Sequence, residues 1–448
     1  MWKSDEESRR VIAVNGVYMQ KRVFIGLHEI SGYGINLAKG FKELGIACDF
    51  YTLIPHKFSY VTESNFLLII IQKYCSYIRR IKYPTIRYIC LVLEQWLLFL
   101  FFVYAIFQYD VFIFRFSETF LYRQLDLPIL HFLHKKVIMI ECGSDMRPSY
   151  VDGAYFDKPM EIMWRTTMEK KRKAEWMERY TDYIVTIMPL SIFHKKPFVL
   201  YWALGHPRQI PCIADKAKSE GSDEVIILHA PSDPIWKGTA YIRKIIAELK
   251  LEGYRINYIE LHEQPNQVVM DTLQKCDFVI DQVFSDTPLT AFGTEAAFLG
   301  KPTLVAGEYA AYIEDEVSPE YIAPSEFVLP KDLKKAAIRL IEDENYRKSL
   351  GKKAKEYVER NCTCKIVAEK YMRLINDDVP ESWMMNPANI RYLWGGGAPI
   401  QKVKENVQAY IQKYGESALC VDDKPILRRK YLKNDSKCRS CFDFDSYR

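Results

Sequence analysis

Two segments in the second half of the chain carry residue types suited to binding a phosphate group. In the first, His229 to Thr239, an apolar run ends at His229 and a loop leads into a helix predicted to begin near Gly238. A helix start presents unpaired N–H groups and the positive end of the helix dipole, which favour an anion. Ser232 adds a hydroxyl and Lys237 a full positive charge. The segment is a candidate phosphate site, and a solvated lysine in a connecting loop is the alternative.

The second segment, Cys276 to Val305, runs from an apolar strand through a polar loop into a helix opened by FGTE and closed by GKP. Gly293 lets the backbone approach a phosphate closely. Glu295 lies in the first helical turn, where the dipole favours a carboxylate. It could also accept hydrogen bonds from two ribose hydroxyls, as an acidic residue does in nucleotide-binding folds. The alternative is a helix-capping glutamate without a ligand.

Together these segments resemble the retaining glycosyltransferases of family 4, the glycosyl transferases group 1, which have the GT-B fold. The likeness rests on the order APS…KGT, then FG-x-E-A-x-x-LGKP, and it is strongest over residues 225–305. It extends more loosely over residues 20–375, where ISGYGINLAKGF is similar to the first glycine loop of the family and ECGSDMR to its acceptor-side loop. The resemblance implies an enzyme that moves a sugar from a nucleotide diphosphate sugar to a glycan or lipid-linked acceptor, with retention and without a metal or other cofactor.

The resemblance also implies a role for each matching residue of the second half. Lys237 and Ser232 would hold the diphosphate, and Lys237 would act in catalysis by stabilising the leaving group. Glu295 would hold the ribose. The amides of Gly293 and Thr294 would add phosphate contacts.

In the first half, the resemblance places a glycine loop across the cleft from these groups. Gly32, Tyr33 and Gly34 would lie near the diphosphate and the acceptor. Asp145 and Arg147 would border the acceptor side, and Asp145 is the second residue that we assign to catalysis.

Three positions depart from the pattern of the family. The family usually carries an arginine where this chain has Ser232, and it often begins an E-x7-E pair where this chain has Thr287, with Asp286 beside it. We assign Asp286 and Thr287 to the donor site. Cys142 stands where a histidine commonly precedes GSD. A non-catalytic GT-B protein that binds a nucleotide sugar or a partner, and a nucleotide-sugar epimerase, are therefore kept as alternatives.

The elements that would position these residues follow an α/β pattern. Short apolar runs alternate with amphipathic stretches in both halves, which predicts parallel sheets covered by helices. We predict a GT-B architecture of two doubly wound Rossmann-like domains facing a cleft, with a helical C-terminal extension. The predicted boundaries are 1–206 for the acceptor-side domain, 207–224 for a linker, 225–376 for the nucleotide-sugar domain and 377–448 for the extension. We expect the end of this extension to be a loosely packed appendage.

The composition is that of an ordinary folded protein. The 448 residues are 49% hydrophobic and 27% charged, which excludes a disordered or collagen-like chain. A formal net charge of +5 is too small at this length to indicate nucleic-acid binding. The opening MWKSDEESRR lacks the apolar region of a secretory signal and the 11 cysteines are irregularly spaced, so we expect a cytoplasmic location. Cys438 and Cys441 form a lone CxxC, where we expect no metal.

One apolar segment, Tyr88 to Phe107, is near the length that spans a bilayer, but Glu94 and Gln95 interrupt it. A basic stretch interleaved with tyrosines precedes it, a combination that fits the surface of an anionic membrane. A buried helix of an α/β domain, an interfacial helix and a membrane span are the three interpretations. We expect possible peripheral contact with the inner face of the membrane.

Overall fold

The computed structural model describes residues 21–53, 83–209, 224–394 and 396–431, together with short pieces at 13–14, 17–18, 70–71, 73–74 and 77–78. Cys438, Cys441 and most of the predicted linker therefore lie outside the described residues.

The described strands and helices alternate along most of the chain. The strands are β1 Ala13–Val14, β2 Val17–Tyr18, β3 Val23–Gly26, β4 Cys48–Phe50, β5 Val111–Arg115, β6 Lys136–Ile140, β7 Tyr183–Thr186, β8 Phe198–Leu200, β9 Val225–His229, β10 Ile256–Glu260, β11 Phe278–Gln282, β12 Thr303–Ala306, β13 Glu326–Val328 and β14 Met384–Met385. The helices are α1 Tyr33–Glu43, α2 Pro84–Gln108, α3 Leu127–Phe132, α4 Met160–Tyr180, α5 Tyr201–Leu204, α6 Thr239–Leu251, α7 Asn266–Lys275, α8 Ala291–Phe298, α9 Ile313–Glu316, α10 Leu333–Glu342, α11 Glu344–Asn361, α12 Cys364–Ile375, α13 Ile400–Tyr414 and α14 Pro425–Tyr431.

Two separate sheets form the cores of two lobes. The first lobe holds a seven-stranded sheet in the order β14-β8-β7-β6-β5-β3-β4, parallel except for β14, and the second lobe a parallel five-stranded sheet in the order β10-β9-β11-β12-β13. The central strands are buried along their length, as in β5, because helices cover both faces of a parallel sheet. The predicted α/β architecture, with two doubly wound domains and a helical extension, is confirmed.

The strand order reverses once in each lobe. In the first lobe β3 lies between β4 and β5, and in the second lobe β9 lies between β10 and β11. Ligands of open α/β sheets bind outside the carboxyl ends of the strands at such a reversal. The loops after β3 and β5, and those after β9 and β11, are therefore where a ligand is expected.

Helix α2 contains the apolar segment, and it is mostly exposed. Its buried residues are Leu98, Phe101, Phe102 and Ala105, all in its second half. It is long and apolar enough to cross a membrane, but only 22% of its most apolar window is buried in the protein. The interpretation as a fully buried core helix is therefore wrong.

The extension packs on the first lobe. Strand β14 pairs with β8 at the edge of the first sheet, and the amide of Asn406 on α13 donates to the Tyr150 carbonyl at 2.6 Å. Lys424 and Leu427 are buried. The extension up to residue 431 is thus well packed, because its apolar side chains complete the core of the first lobe. The end of the chain, where we expect a loosely packed appendage, lies outside the described residues.

A buried ion cluster joins the extension to the first lobe. The imidazole of His194 lies 2.8 Å from Glu141 and 3.2 Å from Glu178, and the Lys424 ammonium donates to the His194 carbonyl at 2.6 Å. Burial alone would lower the pKa of His194, but the two carboxylates raise it to about 9. The imidazole is therefore a buried cation at neutral pH.

Replacement of His194 by glutamine tests this cluster. The folded pKa of about 9 exceeds the unfolded value of 6.5, so the stabilisation is complete below pH 6.5 and is lost as the pH rises through about 9. We expect His194→Gln to lower the free energy of unfolding by roughly 3–5 kcal/mol below pH 6.5, and by much less above the folded pKa. Urea unfolding measured across this range checks it. The exposed-site control, His262→Gln, is expected to match the wild type, and a pH-independent loss in His194→Gln would contradict the assignment.

Candidate functional site

The loop after β9 presents Lys237 at the amino end of α6. Its ammonium contacts the Asp281 carboxylate at 3.1 Å and the Gln282 side-chain oxygen at 2.5 Å, both at the end of β11. The Lys237 side chain is 17% exposed and that of Asp281 is 1% exposed. The lysine therefore stands at the strand reversal of the second lobe, where the sequence predicts a phosphate site.

A glycine allows this close approach of loop and strand. Gly238 has φ +68°, and a Cβ placed there would lie 2.8 Å from the Cβ of Val283. The Val283 N–H donates to the Lys237 carbonyl at 3.0 Å, which fixes the loop against the end of β11. At the other end of the loop, the buried imidazole of His229 bridges the Ile280 carbonyl and the Thr239 hydroxyl. His229 thus links strand β11 to the start of α6. Ser232, near the start of the loop, is exposed.

Glu295 lies in the first turns of α8, beside the same carboxylate. Thr290 caps α8, and its hydroxyl donates to Asp281. Burial raises the pKa of Glu295, Arg208 opposes this and Asp281 adds to it. Arg208 Nε lies 3.2 Å from Glu295 Oε1, an ion pair without the alignment of a hydrogen bond. Asp281 thus bonds to Lys237 and to Thr290, the cap of the helix that carries Glu295, and Arg208 reaches Glu295 from the inter-lobe linker.

The α8 amides that the resemblance assigns to phosphate are already bonded here. The Thr294 N–H donates to the Thr290 carbonyl at 2.8 Å, and the Gly293 N–H to the Thr290 hydroxyl at 3.5 Å. The Thr294 hydroxyl also donates to the Thr290 carbonyl. In this structure Thr290 therefore takes the place predicted for a phosphate.

The glycine loop of the first lobe is likewise filled by a side chain of its own. The Glu29 carboxylate accepts from the N–H groups of Gly34 at 3.4 Å and Ile35 at 3.0 Å, in the first turn of α1 that follows Gly32. Arg115 donates to the same carboxylate at 3.3 Å. The helix start that could bind an anion thus binds Glu29, and the buried arginine neutralises it.

The side chain of Tyr33 does not face the cleft. It is fully buried, and its hydroxyl contacts the Tyr371 hydroxyl at 2.8 Å and the Gly205 carbonyl at 3.4 Å. The Arg115 guanidinium lies over its ring at 4.4 Å. The prediction that Tyr33 contacts the donor is corrected for its side chain, which instead packs where α12 returns to the first lobe.

Asp145 organises the loop after β6. Its carboxylate accepts from the Gly143 N–H at 2.6 Å, the Cys142 N–H at 3.1 Å and the Ser117 hydroxyl at 2.8 Å. Burial raises its pKa, and nearby Glu141 adds to the shift. Asp145 therefore holds the shape of the acceptor-side loop through three hydrogen bonds.

Cys142 lies beside the buried arginine of the first lobe. Arg115 Nη2 lies 3.7 Å from its sulfur. Burial raises the pKa of the thiol to about 11, although Arg115 opposes the shift. The group is therefore a neutral thiol at physiological pH and cannot supply the charge that a protonated histidine would.

An ion pair joins the facing edges of the two lobes. Arg147, in the loop after β6, donates to Asp286, in the loop after β11, through Nε at 3.1 Å and through Nη2. The Tyr392 hydroxyl from the extension donates to the other Asp286 oxygen at 3.1 Å. Burial raises the pKa of Asp286, and Arg147 opposes this. Both carboxylate oxygens are engaged, so Asp286 ties the lobes together in this structure.

A cleft with about 350 Å³ of empty space opens where the lobes meet. Its walls are mostly apolar and include Thr287, Leu289 and Thr294 of the second lobe and Tyr201 and His206 of the first. Burial lowers the pKa of His206 well below its usual value, so the imidazole is neutral. Thr287 and Thr294, assigned to the donor site, thus face the first lobe, whereas Lys237 lies outside this space.

Several residues that shape the site were not predicted from the sequence. Asp281 ends an apolar strand, FVID, and a carboxylate at the end of a buried strand is a signal that could have identified it. Arg208 and Tyr392 come from the linker and the extension, which carry no motif. Among the described residues, no group of three or more His, Cys, Asp or Glu side chains could hold a metal ion.

Comparisons with known proteins find similar folds, but only at low TM-scores. No protein-family model matches the sequence, and no curated protein matches it significantly. Anabaena HepE in complex with UDP is 10% identical, covering 80% of this chain and 100% of its own, with a TM-score of 0.43. The glycosyltransferase SnogD from Streptomyces nogalater is 12% identical over 79% of this chain and 100% of its own, with a TM-score of 0.39. At such scores the likeness carries no argument about what this chain binds.

Replacement of Gly238 by alanine tests the packing of the Lys237 loop. A Cβ would strain the positive φ and overlap Val283, so we expect a loss of roughly 2–4 kcal/mol in the free energy of unfolding, measured by urea denaturation. Gly253→Ala is the matched control, because Gly253 also has a positive φ but no atom lies within 4 Å of the added Cβ. It should lose only the roughly 1–2 kcal/mol of backbone strain. Equal losses in the two variants would contradict the close approach at Val283.

Proposed function

We propose that this chain is a glycosyltransferase that moves a sugar, a hexosyl or related group, from a nucleotide diphosphate sugar to a glycan or lipid-linked acceptor. One observation carries the proposal. Asp281 accepts from Lys237 and from Thr290, the cap of the helix that carries Glu295, at the strand reversal of the second lobe, and the Arg147–Asp286 pair joins this lobe to the first. A cation for a diphosphate and a carboxylate for ribose hydroxyls are thus held at one edge of the second sheet, where the strand order reverses.

The chemistry proposed for Lys237 follows from its hydrogen-bonding capacity. Sugar transfer builds negative charge on the departing diphosphate, and fixed positive groups aimed at that charge lower the barrier most. An ammonium has three donors, and two of those of Lys237 are directed at Asp281 and Gln282. The third, together with the amino end of α6, is the group that would bind the leaving phosphate. Because these groups can stabilise the leaving phosphate, we propose that transfer requires no metal or other cofactor and that activity persists in the presence of a chelator.

Glu295 is proposed to bind the ribose. Its side chain is 20% exposed, and the Arg208 guanidinium beside it is misaligned for a hydrogen bond, which leaves carboxylate lone pairs for two adjacent hydroxyls. Retention, and the membership of family 4 that implies it, rest on the resemblance of the motifs.

A non-catalytic GT-B protein is the second candidate function. The neutral thiol of Cys142 and the complete engagement of Asp286 favour it, because both positions are assigned to the reacting side of the cleft. Binding of a nucleotide sugar without transfer to any acceptor tested would identify such a protein. Product analysis without an acceptor would identify an epimerase.

Replacement of Lys237 by alanine tests the proposed phosphate role. We expect transfer to fall roughly 100-fold or more, and the affinity for a nucleotide diphosphate to fall roughly ten- to a hundred-fold, because a charge-assisted hydrogen bond to the leaving group is lost. A thermal-shift screen of nucleotide diphosphate sugars selects the donor, and product formation with that donor measures transfer. Lys244→Ala, at an exposed lysine on α6, the helix that follows Lys237, is the control. Full transfer by Lys237→Ala would overturn the assignment.

We further propose that the chain works at the cytoplasmic face of a membrane. The first half of α2 carries exposed apolar side chains, among them Trp96, and the Tyr122 N–H donates to the Gln95 side chain at 2.8 Å. That bond places α2 beside a second exposed apolar stretch, residues 122–133, which includes Phe132. These two elements form what we call the apolar surface of the first lobe.

An anionic lipid leaflet fits the apolar surface best. Exposed Arg87 and Arg123 border it, and Trp and Tyr side chains are typical of the depth of lipid headgroups. Glu94 and the exposed stripe suit a helix that lies in the interface better than one that crosses the bilayer. The surface belongs to the lobe with the acceptor-side loop, which agrees with a lipid-linked acceptor.

Flotation with vesicles tests the membrane proposal. We expect the chain to float at low salt with vesicles that contain anionic phosphatidylserine, and binding to fall at least roughly ten-fold in Trp96→Glu/Phe132→Glu, because two large apolar side chains no longer enter the lipid. Leu251→Glu, at an 89% exposed leucine of the second lobe, is the control and should float like the wild type. A dimer in solution that does not float would show instead that a second copy covers the surface.

A further inference from the structure

The extension crosses the cleft between the two lobes. We use the name strap for residues 391–394 and 396–397. Strand β14 before the strap and helix α13 after it both pack on the first lobe. The strap is therefore anchored to the first lobe at both ends, and each contact it makes with the second lobe holds the two lobes together.

Tyr392 of the strap contacts the second lobe through both its hydroxyl and its ring. Its buried hydroxyl donates to Asp286 at 3.1 Å, and its ring packs on Tyr309 and Tyr312 of the second lobe, with centroids 5.0 and 5.5 Å away. Beside it, the Arg391 N–H donates to Glu316 and the Arg391 guanidinium pairs with Asp315 at 3.1 Å. The first residues of the strap are thus bonded to the second lobe by backbone, ring and charge.

The glycines of the strap fit between the lobes without space for a side chain. The Gly397 N–H donates to the Phe284 carbonyl of the second lobe at 3.0 Å, and the Gly153 N–H of the first lobe to the Gly396 carbonyl at 3.4 Å. A Cβ on Gly397 would lie 2.6 Å from the ring of Trp236. Because Trp236 immediately precedes Lys237, the strap lies directly against the loop that carries the candidate phosphate-binding lysine.

We propose that the strap is a latch that holds the second lobe closed against the first, and that ligands enter and leave the cleft when its contacts with the second lobe break. Arg147 and Tyr392 both donate to the carboxylate of Asp286, so separation of the lobes breaks both bonds. Opening therefore requires the loss of several buried contacts at once. The identity of the ligand that enters the cleft rests on the proposed function, whereas the closing of the lobes by the latch does not.

Amide hydrogen exchange of the ligand-free protein tests the latch independently of any activity. Tyr392→Phe removes the hydroxyl bond to Asp286 and keeps the ring. We expect exchange in the peptide that contains Gly397, whose N–H donates to Phe284 of the second lobe, to accelerate roughly ten-fold or more, the effect of losing one hydrogen bond to a carboxylate. Small-angle scattering should show a larger radius of gyration. Peptides of β5 and β6 should exchange at the wild-type rate.

Tyr150→Phe is the matched control. It removes an equally buried hydroxyl, which donates to the Leu419 carbonyl at 2.8 Å within the first lobe and its extension, away from the strap. It should leave exchange at Gly397 unchanged. Arg391→Ala, which removes only a partly exposed ion pair with the second lobe, should accelerate exchange at Gly397 roughly two- to five-fold, and it serves if Tyr392→Phe does not fold.

Two results would overturn the latch. One is wild-type exchange at Gly397 in both Tyr392→Phe and Arg391→Ala. The other is an equal acceleration in Tyr150→Phe, which would mean that the variants loosen the whole lobe rather than the closure. Since no ligand is used, neither result bears on whether the cleft transfers a sugar.

Discussion

The carboxylate of Asp281 holds the two halves of the candidate donor site together. It accepts from the Lys237 ammonium and from the Thr290 hydroxyl, at the point where the strand order of the second lobe reverses. Because Thr290 caps α8, the same carboxylate fixes both the position of Glu295 and the direction of Lys237. A buried carboxylate without partners costs several kcal/mol, so both contacts stabilise the second lobe. The site is thus organised by a strand residue rather than by the loops around it.

The first lobe is organised by the same kind of charge compensation. Glu29 fills the start of α1 and Arg115 neutralises it, so the anion-binding end of this helix is already occupied. At the cleft edge, Arg147 and Asp286 pair with each other across the lobes. Glu29, Arg115, Arg147 and Asp286 are therefore each matched by an opposite charge of the chain.

Much of the fold could be predicted because parallel strands buried on both faces are continuous apolar runs, of which VFIFR in β5 is an example. Strand β14 could not, since it has only two residues and forms because β8 offers a free edge. In the site, the order of residue types predicted that Lys237 and Glu295 lie at one edge. Arg208 and Tyr392 were missed because their contacts join residues far apart in sequence, for which no local pattern exists. The exposure of the first half of α2 could not be decided from the sequence either, because it depends on how distant elements pack against the helix.

The pairing of β14 with β8 has a consequence for synthesis of the chain. The first sheet lacks its last strand, and the first lobe the helix α13, until the segment beyond the second lobe has left the ribosome. The second lobe has no such dependence, because its sheet runs from β9 to β13 without insertion. The sheet of the lobe made second is therefore complete before that of the lobe made first, and β8 keeps an unpaired edge, which favours aggregation, until Met384 and Met385 are made.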